Sequence, residues 1–547
     1  MDQENHPQHL CVNNHPKWTR FGWILIALSM AAHMAYVWLD CPLDISQDEA
    51  HYWDWSRHLD WSYYSKGPLV AWIIWLNCQI LGPLAEQTTG SLMPAVRTSA
   101  ILFGGLLLFG IQKLATITLN SSKLGYFVVV IAVSLPPLHA SSILMTIDAP
   151  FACLWTWALV TTSKALIDVP GKSAGWWITS GLLVGLGILA KYTMVIFPAS
   201  LFLAMITHRP WRSHLLTPGP WLAALTAVIC CIPIIVWNYQ NSGVTFLHVS
   251  SLAGVSNSNN GFQWFGPFRF LGGQAALLLI FWFIAWGMAI THYITLPDKN
   301  EHIHYLLYMS LTIFLIFFVF SFKTGGGEIN WPITAYIAGL PLVVKYIYEL
   351  HSQKKKLRTV AIAGSITFAL IGTVTTIAML YSSTIYGALT TIVGKPNPEN
   401  LMPLRRIDPT CRLKGWRTLT KQIDLIREKL GDEQNTILCG NRWSTTGVLG
   451  FYCLGHPQAY SLGPILGDRH SQYDLWKNPF NTPDFFRNKN FIVVDGTPAV
   501  LNKAFDRVEV VQTVVHFEEG QPIARWNILI CRGFKGFPAD QLSKQGW

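Results

Sequence analysis

The sequence predicts a polytopic α-helical membrane protein of about 11–13 spans with a C-terminal external α/β domain. Three observations carry that expectation. First, 51% of the residues are hydrophobic and only 13% are charged, about half the charge of an ordinary soluble protein. Second, apolar runs long enough to cross a hydrocarbon core of about 30 Å recur from residue 21 to residue 381. Third, the chain turns polar after residue 381. A water-soluble fold of 547 residues could not cover its surface with so few charges, and no segment has the composition of a disordered, collagen-like or coiled-coil chain.

The spans fall near 21–39, 96–118, 124–140, 147–165, 174–190, 192–207, 219–237, 270–292, 304–322, 330–348 and 359–381. The stretch 68–82 is apolar but short, which suits a re-entrant or interfacial segment. The domains expected are a cytoplasmic N-terminus (1–20), a transmembrane domain (21–381) with a long external loop at 40–95, and an external domain (382–547). The first apolar run is read as an uncleaved anchor rather than a signal peptide, because ten more spans follow it.

The net charge of +10 is accounted for by topology. With the N-terminus in the cytoplasm, the inner loops hold Lys17, Arg20, Lys113, Lys123, Lys164, Lys172, Arg209, Arg212, Lys345 and the run Lys354, Lys355, Lys356, Arg358. This alternation obeys the positive-inside rule, so no nucleic-acid partner is implied. An inner (plasma) membrane location follows, with the first loop, the loop 238–269 and the tail after 381 outside.

In the tail, Trp416, Leu419, Ile423, Ile426 and Leu430 recur at helical spacing, followed by β-rich runs at 436–439, 491–494, 508–515 and 525–531. Cys411, Cys439, Cys453 and Cys531 lie in this domain, where disulfides are permitted but no pairing is specified.

The first external loop, DISQDEAHYWDWSRHLDWSYYSKGPLVAW, carries the densest chemistry. Asp48 and Glu49 are adjacent acids, a pattern that the dipole of a helix N-terminus also favours. Lys66 is an outer cation that departs from the positive-inside pattern and could meet a lipid phosphate or simply snorkel. Asp148 opens a span in TIDAP, where an N-cap is the plain alternative. Lys191, Tyr192 and Arg97 stand at the outer face, and Glu328, Asn330 and Trp331 follow a Gly-rich turn. The loop 238–269, rich in Gly, Ser and Asn, has the makeup of a mobile lid. No Walker A, Rossmann, HExxH or Ser-His-Asp pattern occurs in a fitting context. No metal set is compelling, although His51 beside Asp48 and Glu49 leaves room for a divalent ion.

DEAHYWDWSRHL, YYSKGPLVAW, TIDAP, LAKYT, VWNYQNSGVTF, EINWPITAY, GWRTLTKQI and SQYDLW occur in that order, and together they resemble the bacterial branch of the dolichyl-phosphate-mannose–protein mannosyltransferase superfamily. These are glycosyltransferases of the C-type fold, related to the lipid A aminoarabinose transferases. The resemblance implies an enzyme that moves a sugar from a polyprenyl-phosphate donor to an envelope lipid, glycan or protein acceptor at the external face, with inversion. It implies catalytic roles for Asp48, Glu49 and Asp148 and a donor-phosphate contact from Lys66; Lys191 and Tyr192 match a recurring feature to which it assigns no role. Transfer from a sugar phosphate needs cations on the leaving phosphate, and the external cations Lys66, Lys191 and Arg97 form such a set, with Tyr64, Tyr192, Glu328, Asn330 and Trp331 as candidate substrate contacts. One departure stands out: the family often has Lys-Pro-Pro where this chain has Lys66, Gly67 and Pro68. The competing readings are a secondary transporter or lipid-linked-sugar flippase, which would place polar groups at mid-membrane, and a non-catalytic envelope-assembly protein.

The topology is testable directly. Reporter fusions after residues 356 and 400 should read cytoplasm and exterior respectively, and the opposite result at either position would overturn the orientation.

Overall fold

The computed structural model describes residues 15–167, 173–252, 261–297, 300–353, 355–432 and 435–538. All eleven predicted stretches are helical. In chain order the helices are α1 (Pro16–Leu39), α2 (Gln47–Arg57), α3 (Leu69–Thr89), α4 (Met93–Thr118), α5 (Ser122–Ser134), α6 (Pro136–Ile143), α7 (Asp148–Ile167) and α8 (Ala174–Ala190). They continue with α9 (Ile196–Thr207), α10 (Pro218–Gln240), α11 (Val244–Leu252), α12 (Gly266–Leu277), α13 (Phe281–Thr295), α14 (Glu301–Thr324), α15 (Ile333–Gln353) and α16 (Lys355–Leu380). Among the described residues, seven helices are long and apolar enough to cross a membrane, or nine if two bent pairs each count as one span.

The difference from eleven continuous spans has local causes. The stretch 124–140 is broken into α5 and α6, which meet at a bend of 73°. Leu135 precedes Pro136 and is held extended there (φ −87°, ψ 120°), because proline disfavours the α region for the residue before it. The stretch 270–292 is broken into α12 and α13 with a bend of 110°, and Leu279 and Ile280 at that break both have positive φ. The stretch 192–207 opens with a 3-10 turn at Tyr192–Val195 before α9 begins.

The stretch 68–82 is not short, as expected, but part of a 21-residue helix, α3. Both of its ends nevertheless stay on one side of the molecule. Gly67, just before it, packs against the carbonyl of Leu189 at the end of α8, and Glu86 near its C-terminus lies 3.6 Å from His456 of the C-terminal domain. Helices α2 and α3 therefore both run along the same boundary, between the end of α1 and the start of α4.

The C-terminal domain is a five-stranded mixed sheet in the order β2-β1-β3-β5-β4. Its strands are β1 (Thr436–Gly440), β2 (Ala459–Ser461), β3 (Asn490–Val494), β4 (Phe505–Glu518) and β5 (Gln521–Phe534). β1 pairs in parallel with β2 and β3, and the long β4–β5 hairpin joins through β3 antiparallel to β5. The helices Trp416–Leu430 and Trp443–Tyr452 cover the sheet. All nine cysteines among the described residues are free thiols.

This domain is not an independent bead. Ile45, Ala50, Trp53 and Trp55 of the first loop share one buried cluster with Leu419, Val448, Leu449, Ile492, Val514 and Ile528. Asp44 is almost fully buried; its Oδ1 pairs with Arg417 at 3.1 Å and its Oδ2 accepts the Trp416 backbone N–H at 2.7 Å. An acid from the first loop thus caps the N-terminus of the helix Trp416–Leu430, satisfying donors that no helical carbonyl can reach.

Candidate functional site

The site begins with a capping box. Ser46 accepts the Glu49 N–H at 3.1 Å, and the Glu49 carboxylate accepts the Ser46 N–H at 2.8 Å, which starts α2 at Gln47. The Ser-x-x-Glu pattern at 46–49 is the sequence signal for this structural role. Glu49 is fully buried, and Arg97 of α4 grips it with two parallel bonds, Nε to Oε1 and Nη2 to Oε2, both 3.0 Å. The remaining Arg97 donors go to the carbonyls of Leu43 and Asp44 and to the Cys41 sulfur. Glu49 Oε1 also accepts the Met145 N–H at 2.9 Å.

Two expectations are corrected by this geometry. Arg97 does not face a phosphate, because it is fully buried with its donors engaged. Glu49 does not face a substrate, because both of its oxygens are taken.

Asp48 occupies the adjacent position, about 100° further round the helix, and this turn decides its role. Turning Glu49 inward turns Asp48 outward, and its side chain stays open to solvent. Protein still surrounds it closely enough that desolvation pushes its carboxyl above the usual range, an effect opposed by the positive charges of Lys66 and Arg469. Asp48 is thus both crowded by protein and accessible.

Lys66 lies close to Asp48, in the loop before α3. Burial and the charges of Lys191 and Arg469 lower its ammonium pKa to about 8, and Asp48 opposes them. No ion pair joins Lys66 to Asp48 within 4 Å among the described residues. Gly67 explains how the lysine is delivered. A Cβ there would overlap the Leu189 carbonyl, so a proline at this position, as in the family's usual Lys-Pro-Pro, would not fit this backbone.

Lys191 and Asp148 form a pair at 2.6 Å, with Lys191 buried and Asp148 partly open. Asn330 donates to the other Asp148 oxygen at 2.8 Å. The turn that delivers Asn330 has Gly325, Gly326 and Gly327 in succession with positive φ, a path closed to most side chains. The Trp331 ring lies tilted against that of Phe317, with centroids 5.6 Å apart, and Glu328 is exposed without joining these contacts. The Tyr192 hydroxyl lies 3.4 Å from Ser62 Oγ, and the Tyr64 backbone N–H donates to Gln472 Oε1 at 2.7 Å. The site therefore gathers Asp48, Lys66, Asp148, Lys191 and Asn330.

The expected lid is in part a helix. α11 lies against the first loop through Thr245, which donates to the Tyr63 carbonyl at 3.2 Å, and His248, whose ring is 4.8 Å from that of Tyr64. Residues 253–260 of the expected lid lie outside the described residues, as do Lys172 and Lys354, and its end, from Gly266, is the start of α12. Sequence reasoning missed Arg469 and Trp443, which the C-terminal domain places near Asp48 and His51. The resemblance in SQYDLW begins two residues beyond Arg469.

His51 is wedged among Trp55, Trp443 and Tyr473, and burial lowers its pKa to about 3. Among the described residues, no three His, Cys, Asp or Glu side chains converge as a metal-ligand set. A cavity of about 1050 Å³ lies elsewhere, along α9, α13 and α14; Leu307, Leu311, Leu315 and Phe320 make it mainly apolar, and it holds none of the charged groups above.

Residues 65–237 match the family described as dolichyl-phosphate-mannose-protein mannosyltransferase. The family resemblance holds. The matched segment starts one residue before Lys66 and contains Arg97, Asp148 and Lys191. A curated relative, the lipid A galacturonosyltransferase RgtD of Rhizobium johnstonii, is 25% identical over 313 residues, 56% of this chain and 61% of its own length. The chain thus spans about three fifths of that relative. Two crystal structures of ArnT from Cupriavidus metallidurans share the fold: the apo state (TM-score 0.58, 15% identity, covering 93% of this chain and 98% of ArnT) and the state bound to undecaprenyl phosphate (0.60, 14%, 94% and 98%). The fold is a polytopic helical one with a small C-terminal α/β domain, as these matches and the sheet show.

The Glu49–Arg97 pair yields a stability prediction. Arg97→Met should destabilise the protein by about 3–5 kcal/mol, because it leaves a carboxylate buried and unpaired. Thermal unfolding of the detergent-solubilised protein would measure it, and the double change Arg97→Met with Glu49→Leu should recover part of the loss. Unchanged stability with weakened donor binding would instead return Arg97 to the phosphate.

Proposed function

We propose that this chain is a membrane glycosyltransferase that moves a sugar from a polyprenyl-phosphate donor to an envelope acceptor, at the face carrying the C-terminal domain. The observation that carries this reading is the placement of Asp48 near Lys66: each bears on the other's charge, yet among the described residues no ion pair within 4 Å joins them. The gap between them is where a scissile sugar–phosphate bond would lie. The matched family segment, the RgtD relative and the fold shared with ArnT bound to undecaprenyl phosphate support the donor class. RgtD points to lipid A as the first acceptor to test. The periplasmic side is the orientation proposed, because the basic loops then lie inside. Mid-membrane translocation has less support, since Asp48, Lys66, Asp148 and Lys191 collect at one end of the bundle.

In the proposed step, Asp48 accepts the proton of the acceptor hydroxyl as that oxygen attacks the anomeric carbon. The bond from this carbon to the phosphate oxygen breaks, and its electron pair leaves with the polyprenyl phosphate. Lys66 offsets the negative charge gained there. One displacement of this kind inverts the anomeric configuration. Lys191 and Asn330 act on Asp148 rather than on the phosphate, holding that acid at the rim. Glu49 and Arg97 position Asp48.

Two experiments test this reading on purified protein with undecaprenyl-phosphate-linked donors. Asp48→Asn should lose about 10²–10⁴-fold in transfer while still binding donor. Asp40→Asn, an exposed change at the end of α1, is the charge control; Asp44 cannot serve, since it caps a docked helix. Wild-type activity in Asp48→Asn, or retained anomeric configuration, rejects the mechanism.

The second experiment is a pH profile. Lys66 must be protonated to hold phosphate, so kcat/KM should fall as pH rises through about 8. Asp48 must be ionised, and its raised pKa places the acid limb above the ordinary carboxylate range. Lys66→Arg should abolish the alkaline fall, and a fall that persists in that variant would assign it to another group.

A further inference from the structure

The C-terminal domain brings a cation close to Asp48 and Lys66 that the proposed chemistry does not use. Arg469 is exposed, and no carboxylate pairs with it among the described residues. Its guanidinium carbon lies 5.3 Å from the centre of the Trp443 ring, which is 5.0 Å from the ring of His51, one helical turn beyond Asp48. Its charge is felt at Asp48 and Tyr52 on α2, at Tyr64 and Lys66 in the first loop, and at His248 on α11. These residues belong to α2, the first loop and α11, so Arg469 lies near the place where the three elements meet.

The contacts of Arg469 indicate what it is for. Lys191 is neutralised by Asp148. The single negative charge of a sugar phosphodiester suits Lys66. Asp48 lies near both Lys66 and Arg469 and offsets part of their charge; what sets Arg469 apart is an exposed guanidinium beside the Trp443 ring that no ion pair occupies among the described residues. A planar guanidinium fork over an aromatic face binds a carboxylate or a phosphate through two parallel hydrogen bonds, while the ring beside it offers a stacking surface.

We propose that Arg469 and Trp443 form an anion subsite, distinct from the donor-phosphate position at Lys66, which reads an oxyanion borne by a substrate sugar. Two sources share that chemistry: the carboxylate of a transferred uronic acid, and a phosphate on the acceptor glycan. This inference rests on the reading of Asp48 and Lys66 as the reacting pair.

The test uses the full chain in lipid nanodiscs as wild type, Arg469→Gln, Arg469→Lys and Lys66→Met. Transfer is measured from undecaprenyl-phosphate-linked hexuronic acid and its neutral hexose counterpart, onto lipid A with and without its phosphates. Arg469→Gln should lower kcat/KM about 10- to 100-fold for the substrate bearing the recognised anion, and less than about twofold for the counterpart lacking it. A loss that follows the uronate places the anion on the donor sugar; a loss that follows the lipid A phosphates places it on the acceptor. Arg469→Lys should restore part of the rate, since it keeps the charge but not the fork. Binding of bare undecaprenyl phosphate should fall in Lys66→Met and stay unchanged in Arg469→Gln.

Equal losses on all four substrate combinations, no loss on any, or weakened undecaprenyl phosphate binding in Arg469→Gln would overturn the inference. If wild type transfers no sugar, the glycosyltransferase reading fails while the subsite is still read by binding of glucuronate and of glucosamine phosphate. Loss of that binding in Arg469→Gln supports the subsite, and unchanged binding rejects it.

Discussion

The buried Glu49–Arg97 pair holds the candidate site together. Glu49 closes the capping box of α2, receives both arms of Arg97 from α4, and takes the Met145 N–H just before α7. Three elements far apart in sequence are therefore tied to one carboxylate. Asp48 is its neighbour in the chain, and Asp148 follows Met145 by three residues, so the two open acids are placed by the closed one. A bidentate ion pair suits this work because its geometry is fixed. Burial makes it costly to break from one side only.

The C-terminal domain completes this arrangement. Asp44 caps one of its helices, the Tyr452 hydroxyl accepts the Ile45 N–H at 2.7 Å, and Arg57 donates to the His456 carbonyl at 2.7 Å. Gly447 brings the helix Trp443–Tyr452 against the backbone of Ala50 and His51, where a side chain would crowd that contact. The first loop is thus clamped between membrane helices and sheet domain. A lipid-borne substrate could meet groups from both at a single boundary, and Arg469 is the clearest case of a domain residue facing groups of the first loop.

The two neighbouring acids of the Asp48–Glu49 motif illustrate how environment separates chemically similar groups. One is neutralised by a buried guanidinium and serves the fold; the other is crowded yet open, so its ionised form is less favoured and it remains available to a substrate. The two lysines divide in the same way. Lys191 is held by Asp148, whereas Lys66 has only longer-range company.

The sequence by itself determined the membrane class, the helical stretches, four of the five strands and the presence of chemistry in the first loop. Each of these follows from local composition or periodicity: too few charges for a soluble surface, apolar runs of bilayer length, and β-rich runs between turns. The capping box at 46–49 has a spacing signature, Ser-x-x-Glu, but only the structure identified it. Which acid would face outward was decided only by the tertiary structure, because that depends on Arg97 arriving from a helix 48 residues away. The same holds for Arg97 and Lys191, whose charges read as free until the partners that neutralise them are in place. The bends at Leu135 and Leu279, the burial of Asp44 and the placement of Arg469 near Asp48 and Lys66 likewise depend on contacts between distant segments. A charge in a sequence states what a residue can pair with; packing decides whether a protein group has already taken it.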